Sequence, residues 1–196
     1  MRFQPGGLPL YRRAAMPQPA DPPSPLRVNR APVLTLWAAV VAERLGHPEE
    51  TALTLGAAVA GTAARAKARR LGLAEDHRED DDQRRAGGAG GERRTVRLLG
   101  REVPVSRPDG GPPLASHDGR PQSPEAVAAY LARAFGDRLG EVRAAMEGLA
   151  SCLPPEELNR VGFRLYERFR PEVPEGVEGW GARAVLDIAR IERAAE

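Results

Sequence analysis

Arg65, Lys67, Arg69 and Arg70 crowd the end of one long apolar stretch, and Arg93, Arg94, Arg97 and Arg101 follow across an acidic segment. Clustered cations of this kind hold phosphates by charge and hydrogen bonding without reading base sequence. Nucleic acid is therefore the first partner to test, with Arg65, Lys67, Arg69, Arg70, Arg97 and Arg101 as candidate contacts. The competing account is structural. Basic residues in a last helical turn complement the helix dipole, and the run EDHREDDDQRR from Glu75 can neutralise them. Composition weakens the functional account further. Lys67 is the only lysine among 29 basic residues, in a chain rich in Ala, Gly and Pro, so coding bias alone would supply many arginines. A net charge of +2 points to no particular partner.

Trp180, between Gly179 and Gly181 and close to Arg183, is the second candidate. Trp180 and Arg183 would anchor a protein partner if the ring is exposed. The alternative is a ring that plugs the core while the glycines permit a sharp turn.

A third pattern is a helix-turn-helix over Val41 to Leu55. Ala42 and Gly46 have the spacing of its packed alanine and turn glycine, with Leu45, Ala52 and Leu55 at apolar positions. A recognition helix meets DNA with its N-terminal residues. Here those are Pro48, Glu49 and Glu50, and carboxylates are repelled by phosphates. His47 also stands where an apolar residue would follow the glycine. A packed helical hairpin fits better.

Catalytic constellations are scarce. His47, His77 and His117 fall in separate turns or linkers without metal-ligand spacing. There is no P-loop, no dinucleotide glycine fingerprint and no G-x-S-x-G. Glu49-Glu50 and Glu156-Glu157 read as helix-start acids. His117-Asp118 would be an acid–base pair only if the nearby hairpin walled a pocket. Cys152 is alone, which rules out an internal disulfide, and is expected to pack as a small hydrophobe rather than a reactive thiol. The expectation is a non-enzymatic protein without cofactor or metal.

The elements that must position these residues follow from periodicity. Residues 1–29 are a proline-rich tail without an apolar face, expected to be disordered, with Met16 as an alternative start. They lack a signal-peptide core, and no run reaches the ~18 apolar residues of a membrane span. A cytoplasmic location is expected. Residues 30–73 form a helical hairpin: Leu34, Trp37, Ala38, Val41 and Leu45 stripe a first helix from about Pro32. A second, from Pro48 to Leu71, has the small stripe Ala52, Leu55, Gly56, Val59, Ala63 and Ala66, which permits close packing. Residues 74–94 are an acidic and glycine-rich linker. Residues 95–119 form a β-hairpin with a Gly100-Arg101 turn of type II′, pairing Leu98 with Val103 and Val96 with Val105. Pro104 confines it to an edge, and a third short strand is expected around Leu114 to Ser116.

Residues 120–196 are expected to be helical. Ser123-Pro124-Glu125 starts a helix striped by Val127, Tyr130, Leu131 and Ala134. Asp137 caps the next (Leu139, Val142, Met146, Leu149), and Pro154-Pro155-Glu156 opens another (Leu158, Val161, Leu165, Phe169). A final helix carries Val185, Ile188 and Ala189. Most aromatics lie in this part, which would centre a second core there and pack with 30–73 as one domain. The fold class is mainly α with a small antiparallel β-hairpin.

The blocks RAPVLTLWAAVVAERLG, AYLARAFGDRLGEVRAAMEGLA and LYERFRPEVPEGVEGWGARAVLDIARI resemble a conserved family of small bacterial and fungal helical proteins without established activity. The resemblance covers about residues 28–72 and 95–191. It implies that both halves belong to one protein and supplies no catalytic residue or ligand. Together these readings describe a helical binding or regulatory protein that contacts nucleic acid through arginine surfaces. The alternatives are a protein–protein module, including a homodimer through the small stripe of the second helix, or an enzyme with an unrecognised site.

Overall fold

Helix α1 (Arg30–Arg44) is the element around which everything else is laid. Every residue from Pro32 to Ala42 is buried, and a helix apolar all round is one enclosed on all sides. It starts two residues earlier than the Pro32 boundary, because a proline in the first turn forfeits only an N–H that has no helical acceptor. It stops at a Schellman motif. Gly46, at φ +91°, donates to Glu43 O at 2.9 Å, and His47 N donates to Ala42 O at 3.1 Å. The computed structural model describes residues 25–70, 94–117, 120–176 and 184–196.

The chain turns back into α2 (Glu49–Arg70). Gly56 explains the small stripe: a Cβ built there would lie 2.4 Å from Thr35 O and 3.0 Å from Ala39 N. The two helices are in backbone contact, so Ala52, Leu55, Val59 and Ala60 are enclosed within the chain. Only the end of the stripe, at Ala66, is exposed. A homodimer seam along the whole stripe therefore has no surface to use.

Thr54, fully buried, donates its hydroxyl to Thr51 O at 2.9 Å and accepts from Ala115 N at 3.0 Å. That bond ties α2 to an antiparallel sheet of β2 (Arg94–Leu98), β3 (Arg101–Ser106), β4 (Leu114–His117) and β5 (Arg120–Pro121), in that order. Two expectations need correction. The register is Val96↔Val103 and Leu98↔Arg101, two residues from that anticipated, with Leu99-Gly100 as the loop. Both loop residues have positive φ, 51° and 75°, which is a type I′ rather than a type II′ turn. A shift of two preserves the face, so Val96, Leu98, Val103 and Val105 still share one side. Second, β3 lies inside the sheet rather than at its edge. Pro104 is accommodated because β4 pairs only beyond it, at Val105 and Ser106.

The second half follows with α3 (Pro124–Phe135), α4 (Leu139–Ser151), α5 (Pro155–Phe169) and the short α6 (Ile188–Glu192). Ser123 Oγ accepts from Ala126 N at 3.1 Å as the anticipated cap. Asp137 does not cap α4. It lies in a 3-10 turn, and Arg138 takes the cap position without a side-chain bond. Tyr130 is not part of the inward stripe; at 38% exposure it stands at the margin between the buried and outer faces of α3. Val185 belongs to a strand, β6 (Val185–Leu186), which pairs with β1 (Leu26–Arg27). Residues 25–29 are thus part of the fold rather than of a tail, and Val28 N extends the pairing to Ala184 O at 2.9 Å.

A single buried cluster joins both halves instead of two cores. Trp37, with no exposed surface, meets Phe169 edge-on at 5.5 Å, and Tyr166 meets Phe169 at 5.7 Å. The indole Nε1 donates to Gly162 O at 2.8 Å. The tail before residue 25 and the segment 71–93 lie outside the described residues. The expectation of a mainly α fold with a small antiparallel β-hairpin is met, and the hairpin is extended by β4 and β5 into a four-stranded sheet.

The backbone contact at Gly56 predicts that Gly56→Ala destabilises the protein by about 1–3 kcal/mol, the usual cost of overpacking. The helix-propensity gain of roughly 1 kcal/mol is too small to offset it fully. At Gly61 the added methyl would meet only Arg65 Nη1, at 3.7 Å. Gly61→Ala should be neutral or stabilising by up to about 1 kcal/mol. Urea denaturation of both variants checks this, and equal midpoints would refute it.

Candidate macromolecular interface

The basic residues named from sequence separate into two places. Arg65 and Lys67 lie on α2 beyond the part that packs. From Ala64 to Lys67 every side chain is exposed, whereas Thr51 to Gly56 are all buried. At 1.5 Å per residue, Arg65 lies roughly 16 Å along the axis from the Thr54 anchor. After Glu49 and Glu50 in the first turn, α2 contains no carboxylate. Arg69 and Arg70 belong to the same helix end by sequence, but their side chains lie outside the described residues.

Arg97 and Arg101 sit at the hairpin and do not share a face. The register puts Arg101 beside Leu98 on the inward side, and Arg97 directly across from Glu102 on the outward side. The Arg101 guanidinium lies over the Phe163 ring, 5.4 Å from its centroid, a contact that satisfies the cation within the chain. Arg97 thus faces a carboxylate and Arg101 an aromatic ring of the chain itself.

The hairpin is held by a residue that sequence reasoning missed. Asn159 on α5 accepts from Leu99 N through Oδ1 at 2.7 Å and donates from Nδ2 to Arg97 O at 3.0 Å. This amide clamps a leucine in the left-handed region, a conformation costing roughly 1–3 kcal/mol for a residue with a Cβ. Leu99 compensates by burying its side chain against Gly162, where an added Cβ would come within 2.6 Å of Leu99 Cδ2. An asparagine in mid-helix gives no sequence signal of this role.

Several other arginines among the described residues serve the fold. Arg143 on α4 bonds Glu43 of α1 at 2.5 Å and Glu147 one turn on at 2.8 Å. Arg30 donates to Pro171 O at 2.9 Å, Arg168 to Ala194 O at 2.8 Å, and Arg190 to Arg168 O at 2.8 Å. These last three close helix ends and strand connections that otherwise present bare carbonyls.

The first turn of α2 is closed to the helix-turn-helix role. Glu49 and Glu50 are its exposed residues, and the following turn faces α1. His47 is half-buried beside them, and burial lowers its pKa below the usual 6.5. His117, with Arg120, Pro121 and Gln122, lines a depression of about 540 Å3. It opens broadly to solvent, and Asp118 lies outside the described residues, so the acid–base pair has no geometry to argue from. Trp180 and Arg183 likewise lie outside them. Cys152 is exposed rather than packed, its Sγ 3.4 Å from Gly148 O. No group of three or more potential metal ligands occurs among the described residues, and no helix among them is long and apolar enough to cross a membrane. Comparison with protein-family models, curated proteins and solved structures finds no match to this chain.

Two predictions follow from this geometry. Asn159→Leu removes both amide bonds and should destabilise the protein by about 1–3 kcal/mol. Asn159→Asp, which keeps the acceptor for Leu99 N, should fall between it and the parent. Amide exchange at Leu99, slow in the parent and fast in Asn159→Leu, reports the clamp directly; an unchanged rate would refute it. Second, a His47 pKa lowered in the folded state means the unfolded chain takes up the proton first. Stability should then decline as pH falls from about 6.5 towards the lowered folded value and be level above it. Denaturation midpoints between pH 5 and 8 should show this slope, and His47→Gln should flatten it.

Proposed function

We propose that this chain is a non-enzymatic binding protein that engages nucleic acid through phosphate contacts at the exposed end of α2, with Arg65 and Lys67 as leading residues. The observation that carries the reading is the segregation along α2. Its first half is spent on packing, and its last described turns present only small side chains and cations to solvent. A helix end that supports no packing can lie along a charged surface without disturbing the core. The long Arg and Lys side chains carry their charge beyond the carbonyls of the helix terminus, where phosphates would otherwise be repelled. Binding of this kind reads charge density, not base sequence. The hairpin arginines play no part in it, since Arg101 is held over Phe163 and Arg97 faces Glu102.

Fluorescence anisotropy with short duplex DNA, single-stranded DNA and single-stranded RNA, in salt from about 20 to 200 mM, tests this. Affinity should fall steeply with salt. The double variant Arg65→Glu/Lys67→Glu should weaken binding at least about tenfold and reduce the duplex log–log salt slope by about 2, one for each lost phosphate contact. Arg97→Glu should change little. Absence of binding at the lowest salt, or parent-like binding by the double variant, would overturn the reading.

A further inference from the structure

We infer that the outer face of α3 pairs antiparallel with the same face of a second copy of this chain, about a twofold axis beside Ala129. Helix α3 buries Val127, Leu131 and Phe135 against the body. Its opposite face carries Glu125, Ala126, Ala129 and Arg133, all exposed, with Tyr130 at the margin between that face and the buried one. Tyr130, at 38% exposure, is covered over most of its surface by its own chain and leaves only part of its ring at the edge of that face, where a partner helix can cover the remainder.

The charge pattern selects a second copy as the occupant. Glu125, Ala129 and Arg133 fall at i, i+4 and i+8, on one ridge of the helix. The two opposite charges thus lie roughly 6 Å to either side of Ala129 along the axis. A half-turn about an axis through Ala129 sets each Glu125 opposite the other copy's Arg133, so two ion pairs form together. A parallel arrangement would set like charge on like. This is the self-complementarity that an isologous contact requires. Ala126 and Ala129 let the two helices approach closely, with the tyrosines covering the seam. Both charges are available. Ser123 Oγ donates to Glu125 Oε2 at 2.7 Å and favours the ionised carboxylate, and Arg133 is exposed.

The contact is small. A 12-residue helix is roughly 18 Å long, and one such face falls short of the about 800 Å² per partner of a standard stable interface. The dimer is therefore weak and concentration-dependent. This inference uses residues distinct from Arg65 and Lys67, so it stands or falls separately from nucleic-acid binding.

Sedimentation equilibrium of the full chain, from micromolar to near-millimolar concentration, tests it. The parent should pass from monomer to dimer across that range. Glu125→Arg alone and Arg133→Glu alone should each remain monomeric, because each sets like charges against each other. An equimolar mixture of those two variants should form a heterodimer, since every Arg then meets a Glu. Circular dichroism of each variant establishes that α3 is retained. Recovery in the mixture is the decisive result, because damage to the fold could not be repaired by mixing. A parent that stays monomeric throughout, single variants that dimerise like the parent, or a mixture that fails to associate would each overturn the inference.

Discussion

The separation between α1 and α2 is the constraint on which the rest of the structure depends. With Gly56 against Thr35 O and Ala39 N, the two helices are as close as backbones can come, and α1 is left with the remainder of its circumference to cover. The sheet covers part of it through β2 and the hairpin, with Leu98 and Leu99, and α4 and α5 cover more of it through Met146, Leu158 and Phe169. A methyl at Gly56 would push α2 outward and carry β4 with it, because Thr54 bonds Ala115 from the same helix. Packing at crystal-like density transmits such a displacement rather than absorbing it. That is why an element of only 15 residues organises both halves of the chain.

A second constraint acts where the sheet meets α5. Leu99 occupies the left-handed turn position because its side chain is needed in the core, while the turn itself must be tight. The strain is local and the compensation distant in sequence: an amide on Asn159 and the missing side chain of Gly162. The same glycine carbonyl accepts the Trp37 indole N–H. One helical turn of α5 thus serves α1, the hairpin and its own ladder. The unusual residues there are explained by geometry and need no ligand.

How much of this was legible beforehand depends on the range of the interaction. Elements set by local rules could be read directly. The Gly46 stop, the Ser123 cap and the proline starts depend on backbone groups within a turn of the residue that signals them. The hairpin register could not be read. Gly100 is compatible with both II′ and I′ turns, and the choice was made by burial of Leu99 under α5, which periodicity does not contain. Tyr130 was assigned inward because it falls within 40° of the apolar stripe, and aromatic character outweighed that angle. The β1–β6 pair was invisible for a related reason. Its two strands are two residues each, and each is recognisable only once the other lies beside it. Of the candidate site, the α2 cations were legible because they are contiguous on one helix. Their separation from Arg97 and Arg101 was not, since it depends on the sheet register.

Arginine abundance was the least informative quantity in the sequence, and the structure explains why. Guanidinium groups here bridge helices, as Arg143 does between α1 and α4, or close chain ends, as Arg30, Arg168 and Arg190 do on backbone carbonyls. A planar five-donor group suits these tasks better than lysine, so a biased composition is absorbed into the architecture. What separates a functional cation from a structural one is then whether the chain has used it, not how many there are. By that criterion Arg101 drops out of the proposed contact, while Arg65 and Lys67 stay candidates for it. The end of α2 keeps its helical form chiefly by alanine propensity and dipole complementarity, with little tertiary contact. A helix sustained in that way is the part of the molecule that can meet a charged surface at the smallest cost in conformational entropy, since its order precedes the encounter.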